Sequence, residues 1–379
     1  MSFDVEPFHA IALSRLAHQL KADGRSIIHM EFGQPSTGAP AAAIAVAHAA
    51  LDADPGGYTE GPALKARLSQ HYADVYGVEV ASDRIWLTCG ASPALVLALS
   101  TQFEAGARIA MARPGYVAYR NTVKALKMTP VEIACGADSG FQLTAAALAA
   151  VDPPPAGVII ASPANPTGTI IAAGEMKAIA DLCAARGIRI VSDEIYHGIT
   201  YETPARSMLE FTDQALVVNS FSKYFSMVGW RLGWLVAPAD QVRRVQAFGA
   251  NMFLTAPSLS IAAGLAAMDC ADELQGHVET YRRNRALLLD ALPRLGLTAI
   301  APPDGAFYIY ADVGHLTNDS MGFCERILRD TGVVVAPGIE HDPVDGGRFI
   351  RFSFAVSTSL VAEAIERLIP WFAVQGAQR

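Results

Sequence analysis

The chain has 379 residues, enough for two domains and an interior that can enclose a ligand. Its net charge of -8 and isoelectric point near 5.6, with no basic run, argue against a nucleic-acid or anionic-membrane surface. Five scattered cysteines do not suggest a disulfide framework or zinc site, and nine histidines lack metal-ligand spacing; the acidic N-terminus lacks the long apolar run of a signal or membrane span, so a cytoplasmic location is expected.

Ile11, Leu13, Leu16, Ala17 and Leu20 recur at helical spacing and Gly24 follows as a stop, which predicts an amphipathic helix over 8–22. The run 27–40, IIHMEFGQPSTGAP, reads as a strand and turn in which Gly33 allows close backbone approach, an ordinary turn being the alternative. Tyr58 lies in GGYTEGPALKARL, ahead of a helix that runs through Tyr76. Ile85–Cys89 is a buried strand that passes straight into GASPALVLAL. Strand, glycine turn and helix N-terminus form a generic anion site, because free amides and the helix dipole point the same way.

A strand at Arg108–Ala112 leads into RPGYVAYRN, where Tyr116 offers a flat aromatic face. Three prolines at 153–155 mark a loop, and VIIAS at 158–162 is an apolar strand of the kind buried on both faces, ending at SPANPTGT. Met176, Ile179, Leu182 and Cys183 then form a helix stopped by Gly187, and IRIV begins another inner strand that ends at SDEIYHGI. Strand, helix, strand implies a parallel sheet. Leu216–Asn219 is a further buried strand, and it delivers SFSKYFSMVGWRLG, in which Arg231 follows Lys223 by eight residues.

The stretch between Val245 and Tyr281 contains neither Lys nor Arg, and NMFLTAPS within it is apolar or small. A charged amphipathic helix is expected from Tyr281 to Leu295, strands of a smaller unit in GAFYIYADV and GRFIRFSFA, and a closing helix around Leu360, Ile365, Leu368 and Ile369. Phe349 and Arg351 share one face of the last strand, and Arg348 reads as a solvated charge at its entry.

These motifs together resemble those of the class I/II aminotransferases, fold type I enzymes that depend on pyridoxal 5'-phosphate, and the resemblance spans essentially the whole chain. It implies an α/β fold with a mostly parallel sheet in a large domain over 45–275, and a smaller α/β domain built from 1–44 and 276–379. The active site would lie between domains and between the subunits of a homodimer. By motif match Lys223 would carry the cofactor, while Ser220, Ser222, Arg231, Ala91 and Ser92 would face its phosphate, joined by Tyr58 from the neighbouring subunit. Tyr116 would stack on the pyridine ring, Asn165 and Tyr196 would reach the phenolic oxygen, and Asp193 would pair with the ring nitrogen and keep it cationic. Gly33, Asn165 and Arg351 would bind the substrate, with Arg351 clamping its α-carboxylate in a bidentate pair.

The implied reaction is amino transfer between an amino acid and a 2-oxo acid, with Lys223 moving the α-proton as base and acid. A carbon-sulfur β-lyase or an aminocyclopropane-carboxylate-synthase-like lyase would share all of these motifs. A cofactor-sensing transcription regulator is disfavoured, because only a short segment precedes the fold and no basic helix-turn-helix is present. The cation-free stretch 245–281, and Ser92 where another subgroup supplies a lysine, favour a donor with a neutral side chain, unless Arg25, Arg120 or a mobile loop supplies the charge.

Overall fold

Eleven strands sort into two sheets in a computed structural model that describes residues 5–53 and 56–377. The remaining residues, which include the first four of the acidic N-terminus and the outermost ends of the expected smaller domain, lie outside the described residues. In chain order the strands are β1 (Ile28–Met30), β2 (Ile85–Thr88), β3 (Arg108–Arg113), β4 (Thr129–Ala134), β5 (Gly157–Ala161), β6 (Arg189–Asp193), β7 (Leu216–Ser220), β8 (Gly233–Val236), β9 (Tyr308–Asp312), β10 (Val333–Pro337) and β11 (Phe349–Ser353).

The larger sheet has the order β2-β8-β7-β6-β5-β3-β4, and only β8 runs against its neighbours. Its inner strands are apolar on both faces because both faces are covered by helices. Ile159 of β5 joins Val191 and Val218 under Leu95 and Leu99 of the helix Ala91–Gln102. On the opposite face Val158 and Ile160 pack with Met176, Ile179 and Cys183 of the helix Ala173–Arg186. The alternation follows from the period of two along a strand, and it fixes the register of the sheet.

The smaller sheet takes β1 from near the start of the chain and β10, β11 and β9 from its last quarter, in the order β1-β10-β11-β9. Its central strand β10 is a fully buried VVVAP run that pattern reading did not single out. The long helix that precedes β9 also differs from expectation: it starts at Ala271 and runs unbroken to Ala291. Leu274, Val278 and Tyr281 extend the buried stripe at helical spacing, and Asp272 and Glu273 in the first turn complement the helix dipole. The closing helix, Thr358–Ala377, packs Val361, Ala364, Ile365 and Leu368 into the same core. Among the described residues no helix is long and apolar enough to cross a membrane.

Two glycines let the edge of the larger sheet meet the loop that precedes the helix Ala91–Gln102. Gly233 opens β8, and a Cβ there would lie 2.7 Å from the backbone carbon of Gly90 and 2.8 Å from the Asn219 carbonyl oxygen. Backbone cannot yield as a flexible side chain does. Gly233→Ala is therefore expected to destabilise the fold by about 1–3 kcal/mol, a typical overpacking cost, read as a lower urea midpoint of the larger sheet. An unchanged midpoint would show that β8 can shift away from the Gly90 turn.

Candidate active site

Parallel strands send their C-terminal ends to one edge of a sheet, and that edge is where open α/β sheets bind ligands. Here β2 leads to Ala91 and Ser92, β3 to Tyr116, β5 to Asn165, β6 to Asp193 and Tyr196, and β7 to Ser222 and Lys223. Because β8 is antiparallel, its beginning lies at the same edge, which brings Arg231 to the group from the other direction. Arg351 on β11 and Gly33 just after β1 come across from the smaller sheet. The result is a cavity of about 360 Å³ whose wall includes Tyr116, Asn165, Asp193, Lys223, Arg231 and Arg351.

The Lys223 ammonium donates to the Gly33 carbonyl at 2.5 Å. Burial pulls its pKa from 10.5 down to about 8, and the positive charges of Arg351 and Arg231 push the same way against the attraction of Asp193. Gly33 touches the site through this carbonyl, and glycine is required there for a further reason. A Cβ at position 33 would fall 1.8 Å from the Tyr308 hydroxyl oxygen.

One end of the cavity is an anion cradle. The helix Ala91–Gln102 presents the free amides of its first turn, and Gly90 before it sits at φ +96°, held by a 2.8 Å hydrogen bond from Thr88 Oγ1 to the Gly90 carbonyl. Arg231 adopts a left-handed backbone at φ 51°, a strained conformation for a side-chain-bearing residue. Its guanidinium donates to the Val228 carbonyl at 2.9 Å, the Cys89 carbonyl at 3.1 Å and Ser222 Oγ at 3.5 Å. A side chain on Gly90 would collide with it, since a Cβ would stand 2.3 Å from Arg231 Nη2.

The two serines of this loop divide their tasks. Ser222 lines the cavity, whereas Ser220 turns to the loop itself. Ser220 Oγ donates to the Leu232 carbonyl at 2.9 Å, accepts from the Ser222 backbone N–H at 3.1 Å and lies 2.8 Å from Ser222 Oγ. Ser220 thus braces Ser222 from behind, where the motif match had it facing the phosphate directly.

At the other end stands a buried acid. Asp193 accepts from the Tyr119 hydroxyl at 2.6 Å and from the Ile195 backbone N–H at 3.1 Å. Burial raises its pKa, against the lowering effects of the Tyr119 hydrogen bond and of nearby Lys223. A carboxylate so placed favours a cationic partner in the cavity. Tyr116, three residues before Tyr119, meets it edge-on with ring centroids 5.4 Å apart.

Arg351 is held from three sides. It donates to Asn165 Oδ1 at 2.6 Å, to the Glu31 carbonyl and to His341 Nε2 at 3.1 Å, and its guanidinium lies 4.5 Å from the centroid of the Tyr308 ring. His341 can accept from Arg351 because Nδ1, 3.2 Å from the Gly115 carbonyl, must carry the proton. Burial and the charge of Arg351 keep this imidazole neutral by driving its pKa well below 6.5. Arg351 Nε is buried without a partner, so the arginine retains unused donor capacity. Tyr196 meets Tyr308 hydroxyl to hydroxyl at 2.7 Å.

Tyr58 is not on this cavity wall and is 83% exposed in the single chain. Arg120 is buried and committed to Glu6 and Glu132 at 2.9 and 3.0 Å, and Arg25 donates to the Arg329 carbonyl, so neither supplies the cavity with a cation. Tyr119, Tyr308 and His341 are site residues that pattern reading passed over. Only Tyr119 had a signal, as the second tyrosine of PGYVAY.

Lysine, buried acid, flat aromatic and anion cradle are the parts that pyridoxal 5'-phosphate requires, so the residues present fit that cofactor. A family model described as aminotransferase class I and II matches residues 25–368. A valine–pyruvate aminotransferase from Mycobacterium tuberculosis is 43% identical over 98% of this chain and 97% of its own. The crystal structure of an aminotransferase from Mycobacterium tuberculosis superposes with a TM-score of 0.95 at 42% identity, covering 98% of this chain and 97% of that one. An aspartate aminotransferase from Thermus thermophilus, solved with maleate, superposes with a TM-score of 0.89 at 27% identity over 97% of both chains.

The charge environment of Lys223 can be checked without cofactor. Modification of Lys223 by trinitrobenzenesulfonate, followed by peptide mapping, is expected to rise with a midpoint near pH 8 rather than 10.5. Arg351→Met removes a neighbouring cation, which favours the ammonium and moves the midpoint upward, while burial keeps it short of 10.5. A wild-type midpoint at 10.5 would contradict the enclosed ammonium.

Proposed function

The chain belongs to the class I and II aminotransferase family and is an amino-acid aminotransferase, and from that premise we propose that its donor carries a neutral, apolar side chain. Pyridoxal 5'-phosphate is the proposed cofactor; when bound it supplies an aldehyde that accepts the amino group and a ring that withdraws electrons. Lys223 would carry it and, once freed, move the α-proton, a task suited to an amine whose pKa of about 8 lies close to neutrality. Ser222, Arg231 and the first-turn amides of Ala91 and Ser92 would bind the phosphate, Asp193 would hold a proton on the ring nitrogen, and Tyr116 would cover the ring. Asn165 and Tyr196 would face the phenolic oxygen, and Arg351 would take the substrate α-carboxylate with the donor atoms it has spare. The lyase alternatives rest on the same cofactor contacts, and the relatives favour the transferase.

The observation that carries the donor class is the apolar part of the wall of the cavity that Arg351 enters, which includes Phe8, Ala10, Ile11 and Phe32. A second substrate carboxylate enclosed there without a cation would cost several kcal/mol. The name of the Mycobacterium tuberculosis relative, valine–pyruvate aminotransferase, agrees with a small aliphatic donor and a small 2-oxo acid acceptor. In single-turnover spectroscopy of the cofactor-loaded enzyme, valine, alanine or leucine is expected to react at least about tenfold faster than aspartate or glutamate, which corresponds to about 1.4 kcal/mol of discrimination. Faster reaction with an acidic donor would overturn this assignment.

A homodimer is the proposed working unit, and what supports it is exposure. Tyr58, Ser92 and Arg231 are all exposed in the single chain although two of them line the cavity, and a second subunit bringing its own Tyr58 would cover this end. Mixing inactive Lys223→Ala chains with crippled Tyr58→Phe chains is expected to restore part of the activity through hybrid sites. Full activity from a monomer in light scattering would refute it. The working compartment is proposed to be the cytoplasm, in keeping with five free thiols.

A further inference from the structure

One acid on the cavity wall has no part in holding the cofactor. Glu340 closes the short turn Gly338–Glu340 after β10, is 4% exposed, and precedes His341, which touches Arg351. Its Oε2 accepts from the Ala10 backbone N–H at 2.6 Å, in the first turn of the helix His9–Ala22. A carboxylate is well accommodated at that end of a helix, where amides lack intrahelical partners and the dipole is positive. The segment just before the helix is fastened to the larger sheet's side. Arg120 donates to Glu6 Oε2 at 2.9 Å, and Asn121 Nδ2 donates to the Glu6 carbonyl at 3.0 Å. Phe8 lies between these two fastenings, Ala10 forms the second and Ile11 follows it, and all three are on the cavity wall.

We propose that Glu340 is a specificity-determining residue: its carboxylate fastens the N-terminal helix as a roof over the substrate end, and its charge turns away donors and acceptors that carry a second carboxylate. The proposal rests on the neutral-donor reading above and names the residue that enforces it. The cations of the cavity already have work, Lys223 and Arg231 toward the cofactor and Arg351 toward the α-carboxylate. A side-chain carboxylate entering beside Arg351 would therefore meet Glu340, a like charge that is itself buried. An aliphatic side chain would meet Phe8, Ile11 and Phe32 instead, and would gain from leaving water.

Glu340→Gln separates the two roles, because the amide oxygen can still accept from Ala10 N–H while the charge is gone. Glu340→Ala removes both. The measurement is calorimetric binding of two unreactive acids, isovalerate and succinate, to the cofactor-loaded enzyme, with the ratio of their dissociation constants as the readout. Glu340→Gln is expected to shift this ratio toward succinate by at least about tenfold. Glu340→Ala is expected to shift it likewise and also to weaken isovalerate relative to the Gln variant, since the roof is no longer fastened. A ratio unchanged in Glu340→Gln, or both acids weakened by the same factor, would overturn the proposal and leave Glu340 a purely structural contact. The wild-type donor panel decides the neutral-donor reading by itself, so its failure is distinguishable from a failure of Glu340 to discriminate.

Discussion

Repulsion among cations gathered at one cavity is the constraint on which the rest of this structure depends. Lys223, Arg231 and Arg351 face one cavity, and the two arginines help to hold the lysine ammonium at about 8. Such a cluster costs free energy unless each charge is anchored by hydrogen bonds and matched by an anion. The anchors are visible. Arg231 is tied to two carbonyls of its own sheet edge, and Arg351 to Asn165, His341 and the Glu31 carbonyl. Their positive ends still face the cavity, so a ligand with anionic groups at both ends would balance their charge. A phosphate at one end and an α-carboxylate at the other meet that demand.

The sheet topology makes this arrangement possible. Side chains from five strands can converge only if the strand ends share an edge, and the parallel order of β2, β7, β6, β5 and β3 provides it. The single reversal at β8 is equally necessary, because it lets Arg231 arrive from the start of a strand rather than its end. Gly90 and Gly233 then allow the two backbones to approach closely enough for that arginine to reach the helix N-terminus. The Arg231 end of the cavity is thus built almost wholly within one sheet and its loops.

Lys223, Asp193 and Asn165 are legible in the sequence because each follows an apolar strand in a local context of fixed spacing. Strands β2, β3, β5, β6 and β7 are legible for the same reason, whereas β4 and the reversed β8 carry no such signal. Tyr308, His341 and Glu340 are not, since their meaning lies in contacts between distant segments. Tyr308 meets Tyr196 across 112 residues and Glu340 meets Ala10 across 330. Tyr119 stood in a noticed motif, yet its role depends on Asp193, 74 residues away. The strand β10 escaped because a five-residue apolar run has no period to count, and only pairing with β1 and β11 makes it a strand. Ser220 shows the opposite limit: a hydroxyl in the right motif can point into its own loop, and the pattern does not say which way it faces.

The two ends of the cavity are under different constraints. The end at Arg231 is made of backbone amides, tightly packed glycines and a strained arginine, which leave little freedom. The end at Arg351 is assembled from the smaller sheet, and the segment Glu6–Ile11 lends Phe8, Ala10 and Ile11 to the same wall. An aspartate aminotransferase shares this fold at 27% identity. The two ends are nevertheless linked at one point, where His341 accepts from Arg351 and donates to the Gly115 carbonyl, next to Tyr116. A neutral imidazole is the only state that can do both, because a protonated ring would present Arg351 with a second donor and a like charge. Burial excludes that state, and so Arg351 and the segment that carries Tyr116 are held in fixed relation.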